Sequence, residues 1–163
     1  MEQNNKFDIT QMKMERTTQG FVLETVFTVV ALLTWAYTLW RINLAPSLVP
    51  TRLDLSGHVT AMGSPLVVII PCCLCTVIGW WYMHSVYSPR LFRHTCPRLT
   101  NRRQAELYAL CARVSGIMIQ LLGLVIAYSI VGRSVPSPIP VLVAMGIIGV
   151  VIAVFMILIH KTR

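Results

Sequence analysis

The chain has 163 residues, of which 55% are apolar and 12% charged, with a mean hydropathy of +0.66. These values exclude both a soluble domain with a charged shell and an intrinsically disordered chain, and the length leaves room for one compact unit. The 14 Lys and Arg against 6 Asp and Glu give a formal net charge of +8, which in so apolar a chain points to membrane-flanking loops rather than to nucleic acid.

Residues 1–20 are polar, contain Lys6, Lys13 and Arg16, and are expected to form a cytoplasmic N-terminal tail. The charge-free stretch Thr25–Trp40 follows. It predicts a first span over 21–40, since a helix needs roughly 20 apolar residues to cross a bilayer core. This run is too long for a secretory signal, and no small-residue cleavage pattern follows it before Arg41, so it is read as a retained anchor. Glu24 is the only acid within a predicted span. Near the start of the helix, water can reach its carboxylate and the helix dipole favours it. A proton or cation relay would want a second ionisable group near the midplane, and the sequence offers none.

Between the first two spans, Pro46 and Pro50 forbid a regular helix. Val49, Thr51, Leu53 and Leu55 alternate with Pro50, Arg52 and Asp54, and Ser56-Gly57 is a turn dipeptide. This pattern predicts a short extended arm that folds back at Gly57 and lies on the outer helix ends with its leucines pressed down.

Three further charge-free stretches, Leu55–Pro89, Val114–Gly132 and Ser134–His160, predict spans over 65–87, 112–131 and 140–160. Every backbone polar group in lipid must be paired within its own segment, so runs of this length are helices. Asn101 and Gln104 read as a capping box, which starts the third helix outside the lipid and extends it about 30 residues to Val131. Aromatic clusters mark the interfaces: Trp35, Tyr37 and Trp40 at the outer end of the first helix, Trp80, Trp81, Tyr82 and Tyr87 at the inner end of the second. The expected fold is therefore an all-α integral membrane protein, a four-helix bundle over 21–163 with a short extended proline-rich outer loop.

Orientation follows from the basic residues. With the N-terminus in the cytoplasm, ten Lys and Arg fall in inner segments and only Arg41, Arg52 and Arg133 in outer ones, with Arg113 near the inner interface. Both termini are expected in the cytoplasm and the cell membrane is the expected location. The inner arginines of segment 90–103 suit anionic lipid or a soluble regulator. Without interleaved aromatics they are poor grounds for nucleic-acid binding.

Helices in lipid associate through small residues and side-chain hydrogen bonds. On the third helix Ala112, Gly116, Gln120, Gly123 and Ala127 share a face, and on the fourth Gly146, Gly149 and Ala153 do so. These two faces are predicted to meet, with Gln120 pointing into the bundle and bonding across helices.

The five cysteines and four histidines define no metal site. Cys72, Cys73 and Cys75 diverge around one helix and are read as packing residues, while Cys96 and Cys111 are placed on the reducing side. Asp54 and His58 could share a metal only if their segment were helical, and two ligands do not define a site. There is no phosphate-binding loop, nucleophile elbow, zinc-protease motif or dinucleotide fingerprint. No catalytic residue and no cofactor is assigned, and the chain is read as not an enzyme.

The outer loop carries the pattern P-x-x-[IV]-P-T-x-x-[ND]-x-x-G at Pro46, Val49, Pro50, Thr51, Asp54 and Gly57, with Gly63 beyond it. Between two spans, this resembles the bacterial membrane domain of unknown function 1648, which includes SdpI-type immunity proteins that protect a cell from its own killing peptide. The likeness covers about residues 25–75, and departs from the family where Arg52 replaces the usual His and Leu53 an aromatic residue. It implies a non-enzymatic binding, immunity or sensing protein whose outer loop meets a peptide or envelope ligand. Pro46, Pro50, Thr51 and Gly57 would shape the loop, and Arg52 and Asp54 would be its exposed charges. The alternative is a small transporter or an accessory subunit of a membrane complex, motivated by four spans, Glu24 and Gln120.

Overall fold

The computed structural model describes residues 17–53, 58–88, 101–132 and 137–162. Helix α1 is Thr18–Leu44, strands β1 and β2 are Val49–Leu53 and Val59–Gly63, and α2 is Ile69–Ser85 after a 3₁₀ turn at Pro65–Val68. Helix α3 is Arg102–Ala127, widening into one π turn at Tyr128–Gly132, and α4 is Ile139–Lys161. Each of the four helical segments is long and apolar enough to cross a bilayer, at the expected places and with the expected long third helix.

Local chemistry sets the ends. The Thr17 side chain caps α1 by accepting from the Gly20 amide at 3.1 Å. The helix stops at Leu44 because Ala45, restricted by Pro46, is extended (φ −73°, ψ 149°). Ser64 accepts from the Leu66 amide at 3.3 Å to open the turn that leads into α2, and Pro71 is tolerated in the first turn of that helix. Asn101 does precede α3, but the capping box is not formed: its side chain makes no capping bond. Gln104 instead is buried and donates to the Ile159 carbonyl of α4 at 3.2 Å.

Helix α3 is the centre of the bundle. It packs on α2, α1 and α4, while α1 and α2 touch each other sparingly and α4 leans chiefly on α3. Helices α1 and α3 run parallel, and α2 and α4 run antiparallel to them. One end of the bundle carries the start of α1 and the end of α4; the other carries the β1–β2 hairpin.

The expected meeting of two glycine faces is corrected by this arrangement. Gly116 and Gly123 do pack helices together, but against α2. A Cβ on Gly116 would lie 2.8 Å from the Gly79 carbonyl oxygen, one on Gly79 would lie 2.9 Å from the Gly116 carbonyl oxygen, and one on Gly123 would meet Cys75 Cβ at 3.0 Å. Gly146 and Gly149 have nothing within 4 Å of such an atom. The reason is shape: α4 turns Val141, Ala144, Ile148, Val151, Phe155 and Ile159 inward, every third or fourth residue, and the helical repeat puts Gly146, Gly149 and Ala153 on the opposite side. The α3 face toward α4 is a different one, marked by Gln104 and its bond to Ile159; the helical repeat puts Cys111 and Ser115 on the side of Gln104.

The proline-rich loop is an antiparallel hairpin. Val49 pairs with Gly63, Pro50 with Met62, Arg52 with Ala61 and Leu53 with Val59, with irregularities on both sides of Arg52. These bulges fit a short two-stranded ribbon that twists over helix ends.

Gly79→Ala and Gly116→Ala are expected to push a methyl into backbone that cannot yield, costing about 1–3 kcal/mol. Gly146→Ala is expected to change stability by less than about 0.5 kcal/mol. Thermal unfolding in detergent separates the two classes, and equal effects would contradict the α2–α3 contact.

Candidate functional site

The hairpin end is built on one buried residue. Val49 is only 3% exposed and joins Val68 and Cys72 of the α2 side with Ala127 and Val131 of α3 in a single apolar cluster. Trp35, Tyr37, Ile42, Ala45 and Ile130 pack around it. Val49 belongs to the alternating set expected to face the helices and is the plug; Leu55, one of the leucines expected to be pressed down with it, lies outside the described residues.

Of the loop residues singled out by sequence, Pro46 is exposed between α1 and β1, and Pro50 is half-buried within β1. Thr51 donates its hydroxyl to the Ala61 carbonyl at 3.3 Å across the hairpin. Its methyl lies where a Cβ on Gly63 would sit, 2.7 Å away, so Gly63 makes room for Thr51. Arg52 lies in β1 opposite Ala61. Asp54 and Gly57 lie outside the described residues, as do residues 1–16, His94, Cys96 and most of the inner arginine segment. On β2 the side chains of Val59, Thr60 and Met62 are exposed. His58 is exposed as well, and no cluster of three metal-ligating residues occurs among the described residues.

Below the plug, Arg41 reaches from α1 to the end of α3. Its Nε and Nη2 donate to the Val131 carbonyl at 3.1 and 2.8 Å. A cation there satisfies a carbonyl left free by the helix end and complements the helix dipole. The aromatic belt is also part of the packing: Trp35 donates its indole N–H to Thr76 Oγ1 at 3.1 Å, and Tyr37 stands 6.4 Å from Trp40 and 6.5 Å from Tyr128, centroid to centroid.

The other end holds a polar cluster that sequence reasoning did not assemble. Tyr87, two residues past α2, donates its hydroxyl to Glu24 Oε1 of α1. Arg113 of α3 donates from Nη2 to the same hydroxyl at 2.9 Å, with its Cζ 5.2 Å from the centre of the Tyr87 ring. Arg113 is buried, and its guanidinium lies against the first turn of α1, where a Cβ on Gly20 would come within 2.9 Å of Nη2. The Tyr87 hydroxyl donates to the carboxylate while accepting from the guanidinium. Glu24, expected to face water alone, is half-buried in a three-helix relay. The available signal was Arg113 itself, a charge one residue before an apolar run and seven residues before Gln120 on the same helix.

Gln120 is fully buried, as expected, but its predicted cross-helix bond is not formed: neither Oε1 nor Nε2 has a hydrogen-bond partner among the described residues.

The fold defines a multi-pass helical membrane protein. Comparison of the chain with family models, curated proteins and solved structures gives no match, so the resemblance of the outer loop rests on its own seven positions.

Tyr87→Phe removes the group that joins Arg113 to Glu24 and is expected to cost about 1–3 kcal/mol, the scale for hydrogen bonds to charged partners. In the Glu24→Gln background the same change is expected to cost less. A double-mutant cycle on unfolding in detergent measures the coupling, and strictly additive effects would show that the relay is not a unit.

Proposed function

We propose that this is a non-enzymatic binding, immunity or sensing protein of the cell membrane, with both termini in the cytoplasm and the hairpin outside, where it meets a peptide or envelope ligand. The observation that carries the reading is the mounting of the hairpin. Val49 fastens it to the ends of α1, α2 and α3, while the side chains of Val59 and Met62 on β2 face outward. A ligand gripping such a ribbon would pull on helix ends directly. An edge strand with free backbone groups is also a ready partner for an extended peptide. The motif resemblance to the domain of unknown function 1648 and its immunity proteins supports the same reading, as does the excess of basic residues in segments assigned to the cytoplasm. The arginine-rich segment 90–103 would then rest on anionic lipid or receive a soluble regulator.

The alternative, a small transporter or an accessory subunit of a larger complex, is favoured by polar groups at depth: Gln120 fully buried in α3 and the Glu24–Tyr87–Arg113 relay beneath it.

Replacing Arg52 and Asp54 together is expected to leave insertion intact and to abolish protection or ligand response in cells challenged with the envelope peptide. An unchanged response would exclude the hairpin as the binding element. Reporter fusions after residue 60 are expected to read outside, and an inside reading would overturn the orientation. Solute flux in proteoliposomes that falls when Gln120 becomes Leu would decide for transport instead.

A further inference from the structure

We propose that the amide of Gln120 forms a buried hydrogen-bonding site between α1, α2 and α3 that takes a small uncharged polar molecule, water being the smallest. The Gln120 side chain is 0% exposed and neither of its amide atoms has a partner among the described residues.

The level of Gln120 follows from its neighbours. One turn toward the relay, Gly116 touches Gly79, which in turn meets Phe27 of α1; one turn the other way, Gly123 touches Cys75. Cys72, beside it, donates to the Gly123 carbonyl at 3.6 Å and stands 3.8 Å from Thr38 of α1. Gln120 therefore occupies the layer between these two contacts, the layer of Thr34 and the Trp35–Thr76 bond. That layer has polar groups but none free to donate to the amide oxygen. The hydroxyls of Thr34 and Thr76 both turn back to carbonyls of their own helices, at 2.8 Å each.

An unpaired primary amide in hydrocarbon carries the full cost of its lost hydration, and a leucine of similar volume would carry none of it. A ligand that both donates and accepts removes the cost. Nothing at this level calls for charge, because the nearest ionised groups, Arg113 and Glu24, already share Tyr87. The inference does not depend on what the hairpin binds.

The test uses iodoacetamide, itself small, uncharged and able to donate and accept, which alkylates thiolates and so reports a hydrated thiol. In a chain whose native cysteines are replaced by alanine, Gln120→Cys is expected to react about tenfold or more faster than a chain that keeps only Cys73, an exposed residue on α2 outside the helix interface. Equally slow labelling of the two would overturn the proposal. Melting of the otherwise native chain in detergent gives a second reading that needs no cysteine removal. Gln120→Leu is expected to leave the melting temperature unchanged or lower it, because the bound molecule loses its partner; a clear rise would mean that the amide is an unpaired burden and would equally overturn it.

Discussion

The contact between Gly79 and Gly116 sets the geometry of this bundle. With no side chain on either residue, α2 and α3 approach until each backbone meets the carbonyl of the other. In lipid, where there is no apolar surface to hide from water, such close packing is a principal source of helix association. It also fixes the levels of everything else on the two helices. Cys72 and Cys75 are brought beside Gly123, and Val86 beside Ala109 and Ala112. Tyr87, next along the chain, then falls within reach of Arg113. Phe27 closes the third side against Gly79, so the same contact that joins α2 to α3 also seats α1.

Two arginines secure the parallel pair α1 and α3 at opposite ends. Arg41 of α1 holds the Val131 carbonyl at the end of α3, and Arg113 of α3 lies on the first turn of α1. Neither is simply a flanking charge in a loop. Each is paired at the depth where the helix backbone runs out of partners or where a carboxylate is close by. Between them, the bundle manages its polar groups locally: Thr34, Thr38 and Thr76 donate to carbonyls four residues back in their own helices. Gln120 makes no such local bond, and neither of its amide atoms has a partner among the described residues.

The mounting of the hairpin gives the exposed end and the buried end a shared mechanical frame. Val49 bears on α2 and α3, Trp35 and Tyr37 of α1 pack beside it, and α3 continues down to Arg113. A displacement of the hairpin would therefore act first on the π turn Tyr128–Gly132 and on the Arg41 bonds to Val131. A widened turn has looser backbone bonding than the α-helix it ends, and such turns recur at functional positions.

Much of the architecture was legible in the chain. The four apolar runs, the break after Leu44 and the extended form of 49–53 depend on local properties: hydropathy, the absence of an N–H in proline and the restriction it places on its neighbour. Those properties act within a few residues, so the sequence by itself determined where the four apolar spans fall among the described residues, and that Pro46 and Pro50 end one of them in an extended arm. Which faces meet is a different kind of fact. Gly116 could have packed on Gly146 as well as on Gly79, since all three are small residues at workable spacings. Only the order of helices around α3, and the turn of each about its own axis, put α2 against the glycines and left Gly146 and Gly149 outside. The same choice, invisible to any window along the chain, brought Glu24, Tyr87 and Arg113 together from three helices and left the amide of Gln120 without a partner among the described residues.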